Sequence, residues 1–100
     1  MNILNGLEVF RKAIGNKATI LYFEVFLVIC KNEGIFYIDL ANYIDMSPSQ
    51  LRKDTINFIN VHELFQREYD PLNQTKVRLR LSRKGKELKH EVYNAMGIPH

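Results

Sequence analysis

Asp45-Met46-Ser47-Pro48-Ser49-Gln50-Leu51-Arg52-Lys53 carries three helix-start signals at once. The Ser47 hydroxyl can accept a bond from the backbone N–H of Gln50, and the Gln50 side chain can reach back to Ser47. Pro48 takes the first helical position, where its missing N–H is harmless. The helix that starts here carries Leu51, Ile56, Phe58 and Ile59 and ends near Asn60. Just upstream, Asp39 to Ile44 reads as a short helix with Leu40, Ala41 and Ile44 inward and Asn42 outward, after a short β-favouring run, Ile35 to Ile38. Two short helices across a tight turn at Asp45 and Met46 make a helix-turn-helix.

Working outward toward the end of the chain, two strands are expected, Leu64 to Tyr69 and Thr75 to Ser82. The turn-forming segment Asp70-Pro71-Leu72-Asn73-Gln74 joins them. Ser82 starts a last helix with Leu88, Val92 and Met96 inward, and Gly85 weakens its first turn. Toward the beginning, Ile3, Leu7, Phe10 and Ile14 form an apolar stripe on a helix stopped by Gly15 and Asn16. Thr19 opens a second helix, apolar nearly all the way round from Ile20 to Cys30, which requires cover on several sides. Gly34 lies just beyond it as a left-handed terminator. The order predicts one α+β, mainly α, domain over residues 1–100. It is a winged helix-turn-helix of about five helices and a two- or three-stranded wing, with terminal helices 3–14 and 83–97.

Charge is unevenly spread. The chain has a net charge of +3 and 14 Lys and Arg residues, and half of these fall between Lys76 and Lys89, where Glu87 is the sole acid. Within that stretch Lys76, Arg78 and Arg80 alternate with Val77, Leu79 and Leu81, so a strand there shows water a cationic face. Such a ladder is either a safeguard against edge-to-edge pairing or a phosphate-facing surface.

Hydrophobic content of 46% and charged content of 25% suit a folded domain, and 100 residues can bury a core without metals or disulfides. With the single Cys30 no internal disulfide forms, and a reducing cytoplasm is the simplest setting. Cys30 sits among Phe26, Val28 and Ile29 and reads as a core residue. No secretion signal is read at the start, and the most apolar stretch, Ala18 to Cys30, is too short to span a bilayer. His62, His90 and His100 are too dispersed for a metal site, so no metal and no cofactor is expected. There is no Gly-rich phosphate loop and no nucleophile–base pairing, and the carboxylates are scattered, so no enzymatic activity is expected.

The helix-turn-helix, with Leu40-Ala41 in its first helix and Met46 to Lys53 leading into its second, resembles that of the multiple-antibiotic-resistance regulator (MarR) family. Leu79-Arg80-Leu81-Ser82-Arg83-Lys84-Gly85-Lys86-Glu87-Leu88 is similar to the family's wing-to-helix junction. The resemblance covers about residues 19 to 90. It implies a double-stranded DNA-binding transcription regulator, most simply a repressor, acting as a homodimer on a near-palindromic operator. The implied recognition helix is 47–60, with Ser49, Gln50, Arg52, Lys53 and Asn57 as base-reading candidates. The basic wing, 64–84, supplies backbone candidates: Ser47, Asn73, Gln74, Lys76, Arg78, Arg80, Arg83 and Lys84.

The sequence departs from the family at three places. The wing's usual Asp-x-Arg aligns with Asn73, Gln74 and Thr75, so a wing-tip arginine is absent and Lys76 follows instead. The Gly expected after the recognition helix is replaced by Asn60-Val61-His62-Glu63. The chain also stops short of the family's long C-terminal dimerisation helix. A homodimer through the terminal helices is expected instead, over Ile3, Leu7, Phe10, Ile14, Leu88, Val92 and Met96, the alternative being a monomer that packs these residues on itself. The other open reading is a protein-interaction module docking on polymerase, a replication factor or another regulator. A regulator would reside in the cytoplasm, associated with the nucleoid when bound to DNA. No specific residue points to a small-molecule effector.

Overall fold

In a computed structural model the helix α2 (Ile20–Lys31) lies at the centre, because Phe23, Val25, Phe26, Val28, Ile29 and Cys30 are all buried. The structure describes residues 2–15 and 19–99, and at positions 54 and 73–75 the backbone alone. The elements run α1 (Ile3–Ile14), α2, β1 (Ile35–Phe36), α3 (Tyr37–Ile44), α4 (Pro48–Asn60), β2 (Phe65–Asp70), β3 (Asn73–Leu81) and α5 (Arg83–Met96). This is the α+β winged helix expected, with five helices and a three-stranded antiparallel sheet among the described residues.

Local chemistry sets most boundaries. Asn2, Thr19, Ser47 and Ser82 each accept a backbone N–H three residues on, capping α1, α2, α4 and α5. Gly97 closes α5 at φ 75°, and Asp45 closes α3 at φ 55°, a left-handed position that a short polar side chain tolerates. Asn16, expected to help stop α1, lies outside the described residues.

Three expectations need correction. The β-favouring run reaches only to Phe36, and α3 starts at Tyr37 rather than Asp39, because Phe36 takes the extended capping conformation and Ile38 turns out to solvent. The hairpin loop is shorter than expected: Asp70 pairs with Asn73, leaving the two-residue turn Pro71-Leu72, and an irregularity in the ladder at Tyr69/Asp70 takes up the extra residues of β3. The sheet order is β1-β3-β2, so the basic strand is central and cannot act as an edge-strand safeguard.

The largest correction concerns the two terminal stripes. Phe10 is fully buried, its ring centroid 5.2 Å from Phe23, 5.1 Å from Phe26 and 6.3 Å from Phe58, so α1 reaches across α2 to α4 within one chain. Leu7, Leu88, Val92 and Met96 join the same core. The five residues Leu7, Phe10, Leu88, Val92 and Met96 therefore face the chain's own interior, and none is available as a dimer surface in this structure. Ile14 is half-buried, and Ile3 stays exposed beside Leu4. Gly6 makes the α1–α5 approach close, since a Cβ there would fall within 3 Å of the Met96 side chain.

Candidate nucleic-acid interface

Helix α4 is anchored by Leu51, Thr55 and Phe58, all fully buried. Their spacing defines one stripe of a 3.6-residue helix, which fixes where every other side chain points. Ser49, Lys53 and Asn60 point directly away from that stripe, with Asn57 beside them, and all four are exposed. Arg52 and Gln50 sit on opposite shoulders, about 160° apart around the axis. The sequence-level candidates thus do lie on one exposed helix, but they do not share one line: Lys53 rather than Arg52 holds the centre.

A buried polar node steadies this helix. Thr55 Oγ1 lies 3.0 Å from the Leu51 carbonyl oxygen and 3.1 Å from that of Arg52, and 2.7 Å from the Tyr37 hydroxyl. A threonine hydroxyl has one proton, so when Thr55 donates it to the helix carbonyls, Tyr37 donates to Thr55. Tyr37 reads from the sequence only as a core or rim aromatic, and Thr55 was not singled out. A lone Thr among apolar positions four residues after Leu51 was the available signal.

The basic ladder is largely committed inside the molecule. Arg78 stacks its guanidinium 3.9 Å from the centroid of Phe36, its cross-strand partner, and donates to the Gly34 carbonyl at 3.0 Å. Arg80 pairs with Glu68 at 2.5 Å and also lies against Gly34. That pairing pulls the Glu68 carboxyl below its ordinary pKa and raises Arg80, through their hydrogen bond first and their opposite charges second. Gly34, at φ 90°, donates to the Leu79 carbonyl at 2.7 Å, and Glu33 accepts from the Leu81 N–H at 3.1 Å. The ladder thus clamps the turn after α2 to the central strand. Both arginines also occupy the sheet face opposite Phe65 and Leu79, away from the side packed on α4.

Cations remain at the margins. Arg83 is 95% exposed at its side chain, with Glu87 a loose 3.7 Å away. Lys84 is exposed, and Lys76 is exposed with its Nζ 5.7 Å from the Phe36 centroid. Arg67, not singled out from the sequence, pairs across to Leu79 and so shares the core-side face, where it runs out into solvent. Ser47 is committed to capping α4. The side chains of Asn73 and Gln74 lie outside what the structure describes.

An open cleft of about 700 Å³ between α4, β2 and α5 is lined by Glu63 and Glu87 as well as Arg83 and Lys84, so its charges balance. The Cys30 thiol is pushed up to about 12 by burial and stays protonated at neutral pH. Among the described residues no helix is long and apolar enough to cross a membrane.

The transcriptional regulator Tm0710 from Thermotoga maritima superposes with a TM-score of 0.80 and 18% identity, over 95% of this chain and 64% of that one. The fold is the MarR-type winged helix. A mutant MarR from E. coli complexed with operator DNA superposes at 0.71, with 16% identity over 81% of this chain and 57% of that chain. Overoxidized AbfR bound to DNA gives 0.70, with 14% identity over 90% and 66% of the two chains. The chain spans less than two thirds of the length of each of these structures. No family model and no curated protein matches the sequence. The likeness therefore lies in the winged helix itself, with the capped α4 and the β2–β3 hairpin in MarR-type order.

Proposed function

We propose that the protein is a sequence-specific double-stranded DNA-binding transcription regulator, acting as a repressor in the cytoplasm. The observation that supports this most is α4, a capped helix with a buried stripe of Leu51, Thr55 and Phe58 and an opposite face of Ser49, Lys53 and Asn57 open to solvent. A helix of that kind presents its first turns to base edges in the major groove. Two solved structures that share this fold, the E. coli MarR mutant and overoxidized AbfR, are bound to DNA. Lys53 and Ser49 read bases at the centre of the contact, Gln50 and Arg52 flank them, and Asn57 follows one turn later. Lys76, Arg83, Lys84 and Arg67 hold phosphates on either side.

Reading an operator with two-fold symmetry requires a pair of chains. Exposed apolar side chains that a partner could cover include Ile3 and Leu4 on α1 and Ile20 and Leu21 on α2, exposed between 37% and 70%. No catalytic step is assigned to any residue.

Selection of bound fragments from a random duplex pool tests this reading, and a symmetric enriched motif is the expected result. With four phosphate contacts per protomer, the logarithm of affinity falls against the logarithm of salt with a slope of about −3.6 per protomer. Lys53→Ala relaxes base preference and costs about 1–3 kcal/mol, whereas Arg83→Ala weakens binding to all sequences alike. An unenriched pool, or a slope near zero, would sink the proposal in favour of a protein-docking winged helix.

A further inference from the structure

We propose that Tyr37 is a positioning residue for base reading: its hydroxyl, acting through Thr55, fixes the orientation of α4 and so sets how strictly the chain discriminates one duplex sequence from another. The inference rests on the DNA-binding reading above and says what gives that reading its selectivity. Thr55 is the one buried polar side chain among the described residues, 0% exposed, and it lies under the helix whose outer face carries Ser49, Lys53 and Asn57. Apolar groups of the same shape can replace a buried hydrogen-bonded pair at nearly no cost in stability. Stability alone therefore gives no reason for two hydroxyls here. What the bond adds is direction.

The rest of the buried stripe of α4 is apolar. Leu51 and Phe58 hold the helix by packing, the Phe58 ring lying 5.1 Å from Phe65, 5.2 Å from Tyr22 and 6.3 Å from Phe10. Such attraction has no direction of its own, and helices packed ridge into groove scatter by about 15–20° in orientation. A helix with its side chains has a radius of about 5–6 Å, so a rotation of about 20° carries a side-chain tip about 2 Å. Base-edge hydrogen bonds need heavy-atom distances of about 2.7–3.2 Å and do not survive an error of that size. Phosphate contacts do survive it, because a long flexible cationic side chain takes up the difference.

The Tyr37–Thr55 bond supplies that direction at the turn where it matters. Thr55 Oγ1 is 3.0 Å from the carbonyl oxygen of Leu51 and 3.1 Å from that of Arg52, in the turn that carries Arg52 and Lys53 outward. On the other side of the bond, Tyr37 is the first residue of α3 and directly follows Phe36, which pairs with Arg78 of β3 and lies 3.9 Å beneath its guanidinium. Leu40 and Ala41, one turn further along α3, are buried in the core. Tyr37 is thus mounted on both the sheet and the inner side of α3. The 2.7 Å bond from its hydroxyl to Thr55 carries that frame to the reading turn of α4.

The test uses a duplex enriched from a random pool by the wild-type chain and a scrambled duplex of the same composition, with both affinities measured at one salt concentration. Tyr37→Phe is expected to lower the ratio of the two affinities about tenfold, with binding to the scrambled duplex and the salt slope unchanged. Thr55→Ser keeps the hydroxyl and is expected to keep the ratio. The double variant Tyr37→Phe, Thr55→Val leaves no hydroxyl unpaired, so a heat melt close to wild type with the ratio still low separates orientation from stability. A wild-type ratio in Tyr37→Phe would overturn the proposal while leaving DNA binding in place. So would an equal loss on both duplexes, or a double variant whose ratio returns to wild type. Failure of the wild-type chain to enrich any duplex would remove the DNA-binding reading, and this inference with it.

Discussion

The Tyr37 hydroxyl lies 2.7 Å from Thr55 Oγ1, joining the first turn of α3 to the buried side of α4. The same oxygen is bonded to the carbonyls of Leu51 and Arg52, so the turn of α4 that carries Arg52 and Lys53 is tied to α3 through one buried hydroxyl. Thr55→Val leaves the Tyr37 hydroxyl without this partner and is expected to cost about 1–2 kcal/mol in chemical denaturation. Tyr37→Phe leaves Thr55 bonded to the helix and costs less, about 1 kcal/mol. The double variant is expected to lose less than the sum of the two, because both changes remove the same bond.

Gly85 is required by space. A Cβ there would stand 2.1 Å from the Leu64 carbonyl oxygen, which itself accepts the Ser82 N–H at 2.9 Å. Gly85→Ala must push α5 off the base of the wing, and a loss of about 3 kcal/mol is expected, at the upper end for overpacking. A melting temperature equal to that of wild type would show that the helix can slide without cost.

Glu63 occupies the left-handed region at φ 56°, where the turn after α4 reverses so that the Leu64 N–H reaches the Phe58 carbonyl at 2.7 Å. A residue with a long side chain is strained there by about 1–2 kcal/mol, and glycine recovers part of that while adding freedom to the unfolded chain. Glu63→Gly is therefore expected to stabilise the fold by up to about 1 kcal/mol, read as a rise in denaturation midpoint. Glu63→Ala should show no such gain.

Glu68 makes stability depend on acid. Its folded-state pKa is held below the ordinary value by Arg80, so the unfolded chain binds the proton more readily. The contribution is fully present above the ordinary glutamate range and disappears as the pH falls through that range to the lowered folded value. His62 shifts in the same direction, down, through partial burial and the charge of Lys84, and so adds a loss as the pH drops below the ordinary histidine range. Melting temperatures measured across pH should show a shallower acid slope for Glu68→Gln, and His62→Gln should flatten the curve at the higher step.

Much of this was legible in the sequence because the signals were local. Ser47-Pro48-Ser49-Gln50 placed the start of α4 to the residue, since a cap is decided by the few atoms beside it. The role of the basic ladder was not legible. Alternation shows that Arg78 and Arg80 share a face with each other, but it does not give the hairpin register that sets Glu68 beside Arg80, and Phe36 and Gly34 come from far along the chain, joined only by the sheet order. The terminal stripes failed for a related reason. Periodicity shows that Leu7, Phe10, Leu88 and Val92 need cover, and it does not say whether the cover is the same chain or another. At the wing, Arg67 was missed because its exposure depends on where the core ends, a fact of packing and not of pattern.

The backbone bond from the Asn2 N–H to the Met96 carbonyl, 2.9 Å, joins the start of α1 to the end of α5. In synthesis this means that Phe10 can meet α2 and α4 as they emerge, whereas the side of α1 that faces α5 stays uncovered until α5 has been made. The short strand β1 likewise waits for β3, since Ile35 pairs with Leu79. Folding is expected to be a late, all-or-none event in which the recognition helix, the wing and the closing helix become ordered together.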